Sequence, residues 1–309
     1  MLEVKNLVKV YPGAVTALSG VDLAVGNGMF GLLGPNGAGK STLMKIVAGL
    51  LEPTSGEVTL DGADVLADPV AVHARLGYLP QDFGFYPHLT GEQMLAYLLR
   101  LKGVEASGGL KKLVAELLER VNLTFAAKRK LKGYSGGMRQ RLGIAQAVAG
   151  DPRLIVVDEP TAGLDPEERQ RFYRILAELA SDRIVLLSTH IVEDVAVLCP
   201  RFAVISRGRL VAQTTPEEAR ARLAGTIFEG RATNEEVKEI RRRYLVTQAV
   251  LVAGRNRVRI HADAGVPPPA GFQAVDGTLE DAYMTLVTSS NGGTRLEELE
   301  ESAAAGGVA

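Results

Sequence analysis

A glycine-rich run close to the N-terminus constrains the fold more than any other part of the chain. Residues 34–42 read GPNGAGKST, which matches the pattern G-x-x-x-x-G-K-[ST] without a gap. A short apolar strand is predicted at residues 29–33, directly before the run, and a helix is expected directly after it. Because a glycine loop between a strand and a helix points backbone N–H groups at phosphate oxygens, the sequence predicts an α/β domain that binds a nucleotide.

The predicted phosphate loop contains groups with distinct chemistry. Gly37 and Gly39 allow the backbone to come close to the phosphates. Lys40 can reach the β- and γ-phosphates, and Ser41 can ligate Mg²⁺. The alternative is a tight turn with a surface lysine, and the match at every fixed position argues against it. The nucleotide-binding residues predicted in this loop are Asn36, Gly37, Ala38, Gly39, Lys40, Ser41 and Thr42.

Two adjacent carboxylates, Asp158 and Glu159, end a second apolar strand that is predicted at residues 154–157. A bound nucleotide needs an acidic group to hold its metal, and we expect Asp158 to hold Mg²⁺ through the water shell of the ion. Glu159 is expected to point elsewhere and is a candidate general base that polarises the attacking water. A solvated strand end is the alternative, because an apolar strand followed by Asp-Glu is a weak pattern on its own.

The composition is that of a globular protein, and the length is sufficient for two hydrophobic cores. The 309 residues exceed a typical single domain, so we expect one large domain and a smaller second one. The 35 basic and 36 acidic side chains give a formal net charge of -1, which offers no general attraction to nucleic acid.

The location of the protein is predicted from what the sequence contains. The one cysteine, Cys199, cannot form an internal disulfide, and no Cys/His cluster has the spacing of a zinc site, so a reducing cytoplasm is expected. The start has no pattern of a secretory signal, and no apolar segment is long enough to span a bilayer. Any role at a membrane is therefore expected to depend on a partner.

The hydrophobic pattern changes along the chain. Strands with one buried face are predicted within residues 2–25, and a helical insert is predicted at about 85–150. Within the insert, Thr90 and Gln93 have the spacing of a capping box, and a helix is expected to begin near Met138. A further helix is predicted after Asp165, which is a candidate N-cap followed by proline. Continuous apolar runs at 154–157 and 184–187 are typical of central parallel strands that are covered on both faces. A hairpin at residues 202–213 is expected to close this part of the chain.

A different pattern follows, with a charged helix predicted at residues 234–243, strands at about 245–252 and 257–262, and a last helix at 279–287. No internal repeat is present. We expect a large nucleotide-binding domain at residues 1–220, a small α+β domain at 221–288 and a flexible tail at 289–309.

A third motif, KGYSGGMRQR at residues 132–141, lies just upstream of the Asp-Glu strand. Together with the phosphate loop and Asp158-Glu159, it resembles the signature loop of the ATP-binding-cassette (ABC) ATPases. The other elements of that family follow in order, and the resemblance covers about residues 1–220. The residues that complete the pattern are Tyr11, Gln81, Asp165 and His190.

The resemblance implies a P-loop NTPase fold of the ABC cassette type with a helical signature subdomain. It implies that Tyr11 stacks on adenine and that Gln81 lies near the metal, where it responds to a membrane partner. It also implies that Asp165 crosses between subunits and that His190 contacts the γ-phosphate. Catalysis would then depend on Lys40, Glu159 and His190, and the metal would be held by Ser41, Gln81 and Asp158.

The family closes its signature loop on the ATP of the opposite subunit. The resemblance therefore implies that Ser135, Gly136 and Gly137 bind the ATP held by a second ATPase subunit, which is expected to be another copy of the chain. Tyr134 and Met138 depart from the commonest pattern, which has leucine before the Ser-Gly-Gly and glutamine after it. Neither departure removes a backbone N–H donor, so we expect residues 135–137 to keep their ability to bind phosphate.

Two further stretches, residues 78–95 and 277–287, resemble ATPases that pair with ABC-2-type export permeases. The resemblance thus implies an ATP- and Mg²⁺-dependent subunit that energises a separate polytopic membrane permease. This subunit would lie in the cytoplasm, on the inner face of the cell membrane, and would export drugs, antibiotics or lipids without binding nucleic acid. The alternatives are an importer ATPase and a soluble ABC ATPase that acts on ribosomes or DNA.

Overall fold

The computed structural model describes residues 1–67, 69–81, 84–104, 106, 108–161, 164–263 and 265–290, and within residues 69–71 only the backbone. No helix in these ranges is long and apolar enough to cross a membrane.

The strands and helices alternate along most of the chain. The strands are β1 Leu2–Tyr11, β2 Val15–Val25, β3 Gly28–Leu33, β4 Ser55–Leu60, β5 Ala63–Asp64, β6 Leu76–Leu79, β7 Leu154–Asp158, β8 Ile184–Thr189, β9 Arg201–Ser206, β10 Arg209–Thr214, β11 Ile227–Ala232, β12 Leu245–Val252, β13 Arg255–His261 and β14 Gln273–Ala274. The α-helices are α1 Lys40–Val47, α2 Pro69–Ala74, α3 Gly91–Leu101, α4 Leu110–Arg120, α5 Gly136–Ala147, α6 Pro166–Leu179, α7 Val192–Leu198, α8 Pro216–Ala221, α9 Asn234–Arg243 and α10 Leu279–Ser290.

The central sheet has the strand order β10-β9-β3-β8-β7-β6, and all its pairs are parallel except β9 with β10. Every residue of β7 and β8 is buried. Successive residues of β7 belong to opposite cores. Ile155 and Val157 pack in the core that contains α3, α4 and α5, while Leu154 and Val156 pack in the core that contains β1, β2 and β4. This arrangement confirms the prediction of parallel strands covered on both faces, because side chains alternate between the two faces of a strand.

An antiparallel sheet with the order β2-β1-β4-β5 covers one side of the central sheet. The helical layer with α3, α4 and α5 packs in the other core. A capping box begins α3, since the hydroxyl of Thr90 accepts a hydrogen bond from the N–H of Gln93 while the Gln93 side chain accepts one from the N–H of Thr90. This box was predicted from the sequence, and the structure confirms it.

The signature helix α5 begins at Gly136, two residues before the start predicted at Met138. Ser135 caps it, because its hydroxyl accepts the N–H of Met138 at 3.1 Å. Two successive glycines have low helix propensity and therefore hide the first turn in the sequence. The cap and the tertiary packing of Gly137 and Met138, which are both buried, hold this turn in place.

The C-terminal region forms an antiparallel sheet with the order β12-β13-β11-β14. Its helix α9 packs on one face around Val237, Ile240, Val258 and Ile260. The last helix, α10, contacts β12 and β13 and also α7 and α8 of the preceding region.

This helix ends at Ser290, three residues beyond the predicted end at residue 287, and the hydroxyl of Ser290 donates to the carbonyl of Val287 at 2.8 Å. The flexible tail was predicted from residue 289. Its residues 291–309 lie outside the described residues.

Candidate active site

The glycine-rich run forms the turn between β3 and α1 that the sequence predicts. Gly37 and Gly39 have φ angles of +77° and +103°, which side-chain-bearing residues rarely adopt. A side chain at position 39 would also place its Cβ 2.5 Å from the carbonyl oxygen of Ala17. Gly39 directly precedes α1, so the loop leads into the N-terminus of a helix, which is the required setting for phosphate binding.

Lys40 lies at the centre of the loop and is only 4% exposed. Its Nζ donates to the carbonyls of Gly34 at 2.8 Å and of Pro35 at 3.1 Å. The same atom lies 3.1 Å from Oε1 of Glu159. Because a buried ammonium needs partners to offset its desolvation, these three oxygens hold Lys40 above the loop.

Glu159 contacts three of the predicted site residues. Besides Lys40, its carboxylate accepts a hydrogen bond from Nε2 of Gln81 at 3.3 Å and lies 3.1 Å from Nδ1 of His190. Its backbone φ of +46° lies in the left-handed region, and its N–H donates to the carbonyl of Ser188 at 3.1 Å. Strained conformations of this kind concentrate at functional sites, where the surroundings hold them in place.

Asp158 is 2% exposed, and the contact of its carboxylate differs from those of the Glu159 carboxylate. It accepts a short hydrogen bond from the hydroxyl of Ser188. The oxygen of the same hydroxyl accepts the N–H of Glu159 at 3.2 Å. Ser188 therefore contacts the carboxylate of Asp158 and the backbone of Glu159, and sequence reasoning did not identify it. The sequence did contain a signal for Ser188, because this residue lies near the end of a buried strand and two residues before His190.

A cavity of about 330 Å³ opens above the loop. Tyr11 lies at its border, since its hydroxyl is 3.3 Å from Oγ1 of Thr42, and Nζ of Lys9 lies 5.3 Å from the centre of its ring. Ala38 and Asp158 are buried and do not line the cavity. The described lining residues are Ala17, Asn36, Gly37, Gly39, Lys40, Ser41, Thr42, Gln81 and Glu159.

The predicted signature residues and Asp165 lie elsewhere on the chain. Ser135, Gly136 and Gly137 lie at the N-terminus of α5, and Asp165 caps α6 by accepting the N–H of Glu168 at 2.8 Å. None of them is among the described residues that line the cavity. The structure thus brings together the phosphate loop, Gln81, Glu159 and His190, and it leaves the helix N-termini on a separate part of the same subunit.

Asp194 is a second buried acid that sequence reasoning did not identify. It is fully buried and accepts hydrogen bonds from the hydroxyls of Thr161, Tyr173 and Thr189. Burial and the bond to Asp194 raise the pKa of Tyr173, so this hydroxyl stays a donor. The acid therefore joins the segment after β7, the helix α6 and the end of β8, directly before His190.

Comparison with known proteins places this geometry in a family. The model for the family described as "ABC transporter" matches residues 18–162. The linearmycin resistance ATP-binding protein LnrL of Bacillus subtilis (strain 168) is 36% identical over 227 residues, which are 73% of this chain and 72% of that protein. The daunorubicin/doxorubicin resistance ATP-binding protein DrrA of Streptomyces peucetius is 33% identical over 300 residues, 96% of this chain and 90% of that protein.

The fold has a counterpart among solved structures. A dimeric ATP-binding cassette in a post-hydrolysis state, bound to ADP and Pi, superimposes with a TM-score of 0.64 at 27% identity and covers 70% of this chain and 98% of that chain. The C-terminal antiparallel sheet is additional to this ABC cassette fold. The chain therefore belongs to the ABC transporter family and is the ATP-binding and ATP-hydrolysing subunit of such a transporter.

Proposed function

We propose that two copies of this subunit close head to tail around two Mg-ATP molecules and thereby drive a separate membrane permease for export. The observation that carries the proposal is the position of the Glu159 carboxylate, which contacts Lys40, Gln81 and His190 at the wall of the phosphate-loop cavity. A nucleotide in this cavity would have a cation, a carboxylate and an imidazole within reach of its γ-phosphate.

The phosphate loop would bind ATP through the backbone N–H groups of residues 36–42 and through Lys40. The γ-phosphate would replace Glu159 as the partner of Lys40, because both anions compete for the same ammonium. Tyr11 would stack on the adenine from the border of the cavity. Nζ of Lys9 lies over one face of the Tyr11 ring, and the base would take the other face.

The donor atoms around the cavity fit Mg²⁺. Ser41 and Gln81 line it with oxygen atoms, and Asp158, at the end of β7 directly before Glu159, would supply a carboxylate. Mg²⁺ prefers such hard oxygen ligands and keeps several waters when it binds a nucleotide. The described residues contain no group of three or more His, Cys, Asp or Glu side chains that would form a metal cage, which suits an ion held mainly by phosphates and water.

Glu159 would act as the general base. Its carboxylate would accept a proton from the water that attacks the γ-phosphate. His190, which lies at Oε2 of this carboxylate while Lys40 lies at Oε1, would orient the γ-phosphate. Gln81 would link this chemistry to the permease, because it contacts Glu159 and is followed along the chain by the exposed aromatic residues Tyr86 and Tyr97.

The proposed head-to-tail dimer is supported by the separation of the site into two parts, which are the phosphate-loop cavity and the N-termini of α5 and α6. Ser135, Gly136 and Gly137 would bind the ATP of the second copy, and Asp165 would approach it from α6. The dimeric cassette to which this fold is similar supports this arrangement. We further propose that residues 221–288 form a small domain that stabilises the dimer or the permease contact through α10.

Export is supported by the names of LnrL and DrrA, which are resistance ATP-binding proteins for linearmycin and for daunorubicin and doxorubicin. We therefore propose an ABC-2-type permease as partner and a location on the cytoplasmic face of the cell membrane. Affinity purification of the tagged chain from detergent-solubilised membranes should recover a polytopic membrane protein. Recovery of ribosomal or DNA-repair proteins instead would contradict the transporter role.

The test of the active site is Glu159→Gln. This variant should bind ATP, lose nearly all turnover and accumulate as an ATP-bound dimer in size-exclusion chromatography. Glu57→Gln, at an exposed position of β4, is a matched control that should behave like the wild type. Full turnover by Glu159→Gln would remove Glu159 from its proposed role.

A further inference from the structure

An ion pair between a buried arginine and a partly buried glutamate joins the two helix N-termini that carry the signature residues and Asp165. Arg141 of α5 is 2% exposed, and its Nη2 lies 3.3 Å from both carboxylate oxygens of Glu168 on α6. Its Nη1 donates to the backbone carbonyls of Val121 at 3.2 Å and of Asn122 at 3.0 Å, directly after α4. A single guanidinium therefore connects α5 to the end of α4 and to the start of α6.

Glu168 contacts both predicted partner-facing segments. Its N–H donates to Oδ1 of Asp165 at 2.8 Å, so it belongs to the cap of α6. Its carboxylate lies against the first turn of α5, since a side chain at position 137 would place its Cβ 2.6 Å from Oε2 of Glu168. Gly137 is the residue type that permits this approach, and one glutamate therefore touches both Asp165 and Gly137.

The ion pair between Arg141 and Glu168 is better suited to fixing the relative positions of α5 and α6 than to adding stability. Buried ion pairs contribute little net stability compared with apolar residues of similar volume, because both charges lose their hydration. The planar guanidinium, in contrast, fixes the relative positions of the oxygens that it contacts. The pair is also neutral overall, so it adds no net charge beside a helix N-terminus that would receive phosphate.

We propose that Arg141 and Glu168 are positioning residues, which hold the N-termini of α5 and α6 in one arrangement so that the signature residues and Asp165 meet the ATP of the second copy together. The inference rests on the proposed head-to-tail dimer and names two residues that this function has not used. Neither side chain touches the nucleotide, and both act through the backbone segments that they align.

Two charge-conserving substitutions test the geometry without changing the electrostatic attraction for ATP. Arg141→Lys keeps the positive charge but lacks the fork that reaches Glu168 and the two carbonyls at once. Glu168→Asp keeps the negative charge but withdraws the carboxylate from Gly137 by one methylene. Matched controls are Arg139→Lys, on the exposed side of α5, and Glu167→Asp, whose side chain is 77% exposed.

All variants are prepared in the Glu159→Gln background and compared by two binding measurements and one stability measurement. These are the ATP affinity of the dilute monomer, the dissociation constant of the ATP-bound dimer by sedimentation and the thermal midpoint. Arg141→Lys and Glu168→Asp should each weaken the dimer about tenfold, a typical size for coupling between sites, with unchanged monomer affinity and midpoint. The two controls should dimerise like the parent.

Three outcomes would overturn the proposal. Dimerisation of both test variants at the level of the parent would exclude a positioning role. If the test variants lose thermal stability and monomer ATP affinity together with dimerisation, the ion pair serves folding and has no positioning role. Failure of the Glu159→Gln parent to dimerise in ATP would contradict the proposed function itself, and the positioning role would fall with it.

Discussion

Nζ of Lys40 lies 3.1 Å from Oε1 of Glu159, and both side chains are almost fully buried. The contact joins the loop after β3 to the carboxylate after β7. These two strands are separated in the sheet by β8 alone, so their carboxyl ends lie close together although the residues are far apart in the sequence. The lysine that would bind phosphate is therefore balanced by the group that would accept the proton of the attacking water.

Lys40→Ala should weaken ATP binding about 100-fold, because it removes a buried charged donor from the phosphate loop and leaves Glu159 without its cation. The dissociation constant of a fluorescent ATP analogue measures the effect. Lys45→Ala, at an exposed position of the same helix, is the control and should bind normally. Unaltered affinity of the Lys40 variant would contradict the phosphate-loop assignment.

Ser188→Ala should lower kcat by about 10- to 100-fold with little change in ATP affinity. The hydroxyl of Ser188 donates to the carboxylate of Asp158 and also accepts the N–H of Glu159, so its loss removes one positioning contact from each of these two residues. Steady-state hydrolysis and equilibrium ATP binding separate the two effects. Ser181→Ala, at an exposed position, should leave both quantities unchanged. A normal kcat in Ser188→Ala would show that the orientation of the carboxylates does not depend on this hydroxyl.

Tyr134, which stands where the family commonly has leucine, fills a space that a side chain at position 91 would need. Its hydroxyl donates to the carbonyl of Ala126 at 2.8 Å, and a Cβ at Gly91 would lie 2.0 Å from the same hydroxyl. Gly91→Ala should therefore destabilise the wild type by about 1–3 kcal/mol through overpacking.

The same substitution should cost much less in a Tyr134→Leu background, because leucine has no hydroxyl at that point. Urea unfolding of the two single variants and the double variant forms the required cycle. Equal costs in both backgrounds would argue against a direct contact between these positions.

Lys102 gives the stability a dependence on pH. Burial lowers its pKa from 10.5 to about 8, while Nζ donates to the carbonyl of Ala149 at 2.9 Å after the end of α5. Between these two pKa values the unfolded chain binds a proton that the folded chain has released. The free energy of unfolding should therefore rise with pH in this window, and Lys102 should add no slope below it.

The measurement is urea unfolding at about pH 7.5 and about pH 10, on either side of the folded-state pKa. The wild type should gain stability relative to Lys102→Met between these two conditions. Lys102→Arg should show no such gain relative to Lys102→Met, because a guanidinium stays charged over the whole window. Parallel pH profiles of wild type and Lys102→Arg would refute the assignment.

Features that depend on neighbouring residues were predictable from the sequence. The phosphate loop, the capping box of Thr90 and the cap of α6 at Asp165 were all expected, and the structure confirms them. Each rests on contacts within a few residues along the chain. The helix α9 also has its predicted bounds, 234–243, since a capping box opens it and a charged face alternates with Val237 and Ile240.

The start of α5 and the ends of β13 and α10 were less predictable, because tertiary contacts shift the ends of elements. Gly136 and Gly137 are helical only because Ser135 caps them and Glu168 packs against them. β13 begins at Arg255 rather than at residue 257 because a tight turn at residues 253–254 pairs it with the end of β12.

The nucleotide chemistry could be predicted from the amino-acid order, because the phosphate loop and the Asp-Glu pair each form within one short segment. How these segments meet depends on contacts that exist in the folded chain alone. The register of the parallel strands brings Gln81, Glu159 and His190 together, and the packing of α5 on α6 pairs Arg141 with Glu168. Such contacts join residues far apart in the chain, and no local pattern encodes the distance between them.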